Sequence, residues 1–463
     1  MSIGTSSGAR RAPALAGYGR ARPRSPARQT SATSNGFAAW LLAIAIAMPA
    51  SMTIFLGETK FTPARIIILA LLVPALALMF KKGRRLFASD FFAGATAVWM
   101  IGVTLQTDPQ SWSSAVAVAV EFSAAYIVAR GYIFGPDALH SFIRALKLAA
   151  AVVIGLAALE HLAQQHITHN TIAAFWGLPR ADTPEFRYGI MRASSTFPHS
   201  ILYGTFCAIT GAIFLYSERG SGRIFWVGLC AVGCFLAMSS APIMSFMIAI
   251  SIFFYDAFLR RYHWRWQVMT AAIAMMLVVI YLGTNKPISW IISHLTLDPA
   301  TGYFRVATWE VAFHYIGLSP LVGYGFEAFA DKDDFFGNAS VDTVWLTLAL
   351  RFGLPFIVLV FIMNILAFVR SGSTSGPRRG DPYMDDMCTG FTLAVVLFMF
   401  TGLTVHYWNN IWMFWGIVIG IRASLKEEYS TAIRMKLRSA RAARAAAFEP
   451  SALGASSHPA MRN

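Results

Sequence analysis

Apolar runs long enough to cross a lipid bilayer recur along almost the whole chain, and no other feature restricts its possible folds as much. The first covers about residues 36–56. Others follow at about 62–80, 89–106, 112–134, 142–162, 199–217, 223–240, 241–259, 265–283, 343–369, 388–406 and 409–425. At a rise of about 1.5 Å per residue, some twenty residues span the ~30 Å hydrocarbon layer. No water reaches backbone amides there, so each run must satisfy its own hydrogen bonds as a helix. The sequence therefore predicts an all-α polytopic integral membrane protein with about 12 transmembrane helices. With 56% hydrophobic and only 13% charged residues among 463, too little polar surface remains for a water-soluble globule.

The formal net charge of +15 suggests nucleic acid at first sight. The basic residues, however, gather at the ends of apolar runs, where membrane orientation collects them on the cytoplasmic side, so no nucleic-acid partner is expected. Residues 1–35, rich in Gly, Ala, Ser, Pro and Arg, are expected to form a disordered basic cytoplasmic tail. No signal peptide is expected, because the first apolar run is too long and lacks a small-residue cleavage site. With the N-terminus inside, basic clusters at Lys81–Arg85, Arg219–Arg223, Arg260–Arg265 and Arg370–Arg379 all fall on that side, as do those beyond Arg422. Residues 426–463 form a second basic tail, and its Arg- and Ala-rich stretch Tyr429–Phe448 is expected to lie as a helix against anionic lipid. Residues 36–425 are the membrane domain. The four cysteines, Cys207, Cys230, Cys234 and Cys388, sit in apolar runs and read as packing residues.

This topology leaves two larger periplasmic loops, about 163–198 and 284–342, and chemistry is expected there. The first loop carries Glu160, His161, His166 and His169 at its start, but the His spacings lack HExxH geometry, so no metal site is assigned. Further on, Arg192 precedes Phe197-Pro198-His199 and the next span. Pro198 suits a helix start, whose amides favour an anion beside Arg192; anchoring of Arg192 to lipid phosphate is the competing reading. In the second loop Arg305 and Trp309 are four apart and share a face of a helix that continues through His314. The run Ser319–Phe329 supplies Pro320, Gly323 and Gly325 for a sharp change of direction. Asp342 is the last polar residue before the tenth run, as a helix cap or as a reactive carboxylate at the membrane boundary. Two ionisable residues fall inside runs, Glu121 and Arg351, each either bonding helix to helix or lining a polar cavity.

These pieces resemble the C-terminal signature of the O-antigen ligase and Wzy-type polysaccharide polymerase superfamily. They are Thr301-Gly302, Arg305, Trp309, Ser319-Pro320-Leu321, Gly323, Gly325-Phe326, Asp342 and Gly353-Leu354-Pro355, with Arg192, Phe197-Pro198 and Gly204 upstream. Ligases carry a His where this chain has Asp342, and Arg351-Phe352-Gly353 is similar to the Arg-Tyr-Gly of polymerases, so the likeness leans to polymerases. It departs in having Thr343 in place of Asn and Tyr303 where many members have Arg.

The resemblance implies a metal-independent glycosyltransferase without cofactor, acting on undecaprenyl-diphosphate-linked glycan as both donor and acceptor. Its setting would be membrane lipid, with a chain-length regulator as a further partner. In that frame Arg192, Arg305 and Arg351 hold the diphosphate, because the planar Arg fork donates bidentately to phosphate oxygens. Asp342 takes or orients the acceptor proton, with His314 and His199 as alternates, and Trp309 and His199 contact substrate. An O-antigen ligase and a lipid-linked sugar transporter or flippase stay open. Against the transporter stands the absence of matched sequence halves.

Overall fold

The structure, a computed structural model, describes residues 26–49, 51–56, 59–176, 184–285, 290, 299–326, 341–368 and 381–448. It is almost entirely helical. Among the described residues, nine helices are long and apolar enough to cross a membrane by length and composition. To fix names, α1 is Pro26–Ala47, α2 Pro63–Met79, α3 Ala88–Thr107 and α4 Pro109–Tyr132. Helix α5 is Pro136–Ala163, α6 Ile167–Trp176, α7 Ser200–Ser217, α8 Gly220–Ala237, α9 Ser240–Phe258 and α10 Arg265–Gly283. The last four are α11 Pro299–Leu318, α12 Val344–Phe368, α13 Pro382–Thr401 and α14 Asn409–Phe448. The nine are α3, α4, α5, α7, α8, α9, α10, α12 and α13. The other three expected runs are occupied by α1, α2 and the first part of α14.

Three boundaries differ from the sequence reading. Helix α1 reaches back to Pro26, into the stretch expected to be disordered, because Pro suits a first helical position and nothing up to the apolar run breaks the helix firmly. Residues 1–25 lie outside the described residues. The same helix ends at Ala47 rather than near 56, since Pro49 cannot continue it. Ile54–Leu56 then pairs antiparallel with Thr59–Phe61. At the other end, Tyr429–Phe448 is not a separate surface helix. It prolongs α14 to 40 residues, about 60 Å at 1.5 Å each, because no Gly or Pro interrupts the chain between Ile421 and Phe448.

The core centres on α7, buried on nearly every side between α8, α9 and α13. Helix α14 packs on α4, where Phe122 stacks on Trp412 with ring centroids 4.3 Å apart and Trp415 fills the space beside them. Glu121 is buried in a short π-helical segment of α4, Val120–Ala124, and accepts from Arg65 Nε of α2 at 2.8 Å. It thus ties one helix to another, as the plainer of its two readings has it. At one end of the bundle Arg130 donates to Glu427 at 2.6 Å and to Asp90 at 3.1 Å. Arg84 donates to the same Glu427 at 3.1 Å, so charges buried between α3, α4 and α14 neutralise one another.

Candidate functional site

The opposite end of the bundle collects the residues singled out in the two longer loops. The first loop reaches it through a two-residue-per-strand hairpin, Phe186–Arg187 against Ile190–Met191. Its turn residues Tyr188 and Gly189 both have positive φ, 52° and 76°, as the twist of a tight hairpin demands. The strand leaving the hairpin is pinned from below by Glu160. This fully buried carboxylate at the end of α5 accepts from the amides of Ser194 at 3.2 Å and Ser195 at 2.8 Å. His169 Nε2 donates to the Phe197 carbonyl at 2.8 Å, and His166 Nδ1 lies 3.1 Å from Ser194 Oγ. The loop histidines are thereby engaged as scaffold.

On that scaffold Arg192 and His199 are held side by side. The Arg192 amide donates to the Glu185 carbonyl at 2.9 Å, and its Nη1 donates to Glu185 Oε2 at 2.5 Å. Burial eases the Arg192 proton off, Glu185 opposes this, and Arg187 adds to it by repulsion. His199 sits at the N-cap of α7, where Nδ1 accepts from the amide of Ile201 at 3.1 Å. That lone pair is thus occupied, and in the neutral ring the proton must sit on Nε2. His199 consequently presents a donor, which leaves it unsuited to serve as the base. Its Nε2 lies 3.8 Å from Glu185 Oε1. Burial depresses the His199 pKa; Glu185 opposes that, Arg192 reinforces it, and Asp342 opposes it again.

The second loop supplies α11, whose inner face carries Trp309, Ala312 and Ile316 against Val341, Leu346, Ala349 and Leu350. Arg305 is buried on this same face, 7% exposed, and its Nε and Nη1 have no hydrogen-bond partner among the described residues. Buried donors of this kind are costly unless a ligand or water meets them. Burial lowers the Arg305 pKa, Asp342 counteracts this, and Arg187 reinforces it. A small, open cleft lies here, lined by Arg305, Thr308, Trp309, Asp342, Thr343, Leu403 and Thr404. The charge of Asp342 therefore acts on Arg305 from one loop and His199 from the other, while Arg187 acts on both Arg192 and Arg305.

The helix after Asp342 begins at Val344, and the Thr343 carbonyl accepts from the Thr347 amide at 3.1 Å. Thr343 thus stands at the cap position and Asp342 one residue outside it. Helix α12 is itself broken at Gly353, with φ 79° and ψ 171°. Into this break fits the Ser319–Phe326 segment: Tyr324 N donates to Leu350 O at 2.7 Å, Gly325 N to Arg351 O at 3.1 Å, and Leu354 N to Pro320 O at 2.8 Å. A Cβ on Gly353 would strike the Leu321 carbonyl, and one on Gly323, where φ is 64°, the Leu350 carbonyl. The glycines of both motifs serve this clasp. It holds Arg351 with its guanidinium 4.7 Å over the Phe326 ring and its Nε without a hydrogen-bond partner among the described residues.

Of the expected residues, Arg305, Trp309 and Asp342 line this cleft, and His199 and Arg192 are tied to it by charge, since Asp342 and Arg192 both act on His199. Arg351 is linked to it through intermediaries: it acts on His406, which stacks on Trp408 at 5.4 Å, and Trp408 faces the His199 ring at 6.4 Å. His314 does not join them. It is exposed, five residues on from Trp309 and so turned well away from the buried face of α11. The sequence reading missed Glu185, Arg187, His406 and Trp408. The acid and base just before a Tyr-Gly turn were a usable signal for the first two, whereas nothing in the short 402–408 link marked the others. Residues 327–340 of the second loop lie outside the described residues. Among known proteins the chain meets no match, either to a family model or to a curated protein.

Proposed function

We propose that this protein is a membrane glycosyltransferase that joins lipid-linked oligosaccharide repeat units into a polysaccharide at the outer face of a bacterial plasma membrane. The observation that carries the reading is that the buried Arg305 and the half-buried Arg192, from different loops, both stand near the half-buried Asp342. A leaving diphosphate is best stabilised by fixed, poorly hydrated cations whose donors are not already spent, and Arg305 has two such donors. The acceptor hydroxyl oxygen attacks the anomeric carbon of the donor. As the carbon–oxygen bond to the diphosphate breaks, the leaving group departs with the electron pair onto Arg192 and Arg305, and the hydroxyl proton passes to Asp342. Trp309, lining the same cleft, offers an apolar wall for a sugar ring.

The proposed topology has twelve spans, both termini in the cytoplasm and the site in the periplasm. Supporting it, the exposed arginines Arg219 and Arg260 stand on links belonging to the opposite end, where they pair with Asp386 of α13. The resemblance to polymerases rather than ligases rests on Asp342 and Arg351. The decisive assay uses purified protein in lipid nanodiscs with undecaprenyl-diphosphate-linked repeat units. Elongation with release of undecaprenyl diphosphate is the expected result. Transfer to lipid A core makes it a ligase, and movement across a bilayer without joining makes it a transporter.

A further inference from the structure

We infer that Glu185 occupies the anion position of the site when substrate is absent, and that a phosphate group must displace it in order to bind. The inference rests on the diphosphate reading of Arg192 given above. Each oxygen of the Glu185 carboxylate faces a different donor: Oε2 lies 2.5 Å from Arg192 Nη1 and Oε1 lies 3.8 Å from His199 Nε2. That nitrogen is the one left protonated once His199 Nδ1 has capped α7. A two-oxygen anion thus bridges an Arg and an imidazole N–H, as two oxygens of one phosphate can.

The asymmetry of exposure points to a placeholder rather than a structural ion pair. The Arg192 side chain is only 11% exposed, while Glu185 is 54% exposed and stands on the solvent side. An ion pair with one half in water contributes little, so the carboxylate is easily released. Its backbone stays tethered meanwhile by the Arg192 N–H to Glu185 carbonyl bond at 2.9 Å, which keeps the side chain close enough to return. With Arg187 and Arg305 adding positive charge nearby, the site without Glu185 would hold three arginines, with Asp342 as the carboxylate facing them among the described residues. A diphosphate carries more charge and more acceptor oxygens than Glu185.

Binding of inorganic pyrophosphate to the full-length protein in nanodiscs, measured by calorimetry, tests this. Glu185→Gln keeps the shape and removes the charge, and it should tighten binding by about two- to fivefold, the range expected for an exposed pair. Glu185→Ala should act in the same direction, which guards against a new contact made by the amide. Arg192→Lys, measured in parallel, should weaken binding. Unchanged or weaker binding in both Glu185 variants, with Arg192→Lys still weakened, overturns the placeholder while leaving the diphosphate site standing. Binding that is absent, or indifferent to Arg192→Lys, overturns the diphosphate reading and this inference with it.

Discussion

At the scale of single residues, the site is built from groups whose freedom has been taken away. Asp342 lies one residue outside the cap of α12, so its two possible roles now make different forecasts. If it accepts the acceptor proton, Asp342→Asn keeps the volume and loses the base, and polymer formation should fall by about a hundredfold or more at unchanged membrane abundance. Normal polymer from that variant would remove Asp342 from the chemistry. Arg305→Lys and Arg192→Lys keep charge but lose the fork, and each should reduce turnover by roughly ten- to a hundredfold, with chelators without effect. His406 makes a stability forecast. Burial and the nearby Arg351 push its pKa down to about 3, below the ordinary value near 6.5. The unfolded chain therefore binds a proton that the folded one refuses. The stability associated with the neutral ring is complete above the ordinary value and is lost progressively as pH falls from there toward about 3. Thermal unfolding scans in detergent should show the midpoint dropping across that window, and His406→Asn should flatten the drop.

Among elements, the decisive arrangement is the clasp between the Ser319–Phe326 segment and the break in α12. Neither partner is stable alone: the segment has no regular structure, and a helix interrupted at Gly353 leaves amides and carbonyls to be satisfied elsewhere. Each supplies what the other lacks. Because φ at Gly353 is 79° and a Cβ there meets the Leu321 carbonyl, Gly353→Ala should cost about 1 to 3 kcal/mol from backbone strain alone. The clash adds to this. The variant should unfold at lower temperature and should lose activity even though it touches no substrate, because Arg351 and the cleft wall are positioned through the clasp. Wild-type stability and turnover in Gly353→Ala would show that the break is incidental.

For the whole molecule, the question is which end faces out. All four cysteines are buried, so a cysteine introduced on the surface is labelled against a quiet background. Tyr188→Cys, at the tip of the hairpin where Tyr188 is 80% exposed, should react with a membrane-impermeant maleimide in spheroplasts. His263→Cys, in the turn between α9 and α10, should react only after permeabilisation. The reverse pattern would put Arg192, Arg305 and Asp342 in the cytoplasm and end the proposed function.

What the sequence determined by itself is the part that depends on composition and local periodicity. A membrane-embedded all-helical chain follows from apolar length alone, because hydrocarbon accepts no unsatisfied backbone. That Arg192, Arg305 and Asp342 fall between the apolar runs was legible for a related reason, that charged groups are costly inside lipid and conspicuous beside it. Tertiary structure decided everything that requires two distant segments to meet. Only the fold turns His314 outward while burying Arg305 nine residues earlier, and only the cap at Ile201 sets which nitrogen of His199 carries its proton. Likewise, the glycines at 323 and 353 read separately as turn and family signature, and their common purpose appears when two backbones approach too closely for a side chain. Glu185 and His406 escaped notice because what makes them informative is the charge and burial around them, and those are properties of neighbours more than a few positions away in the chain.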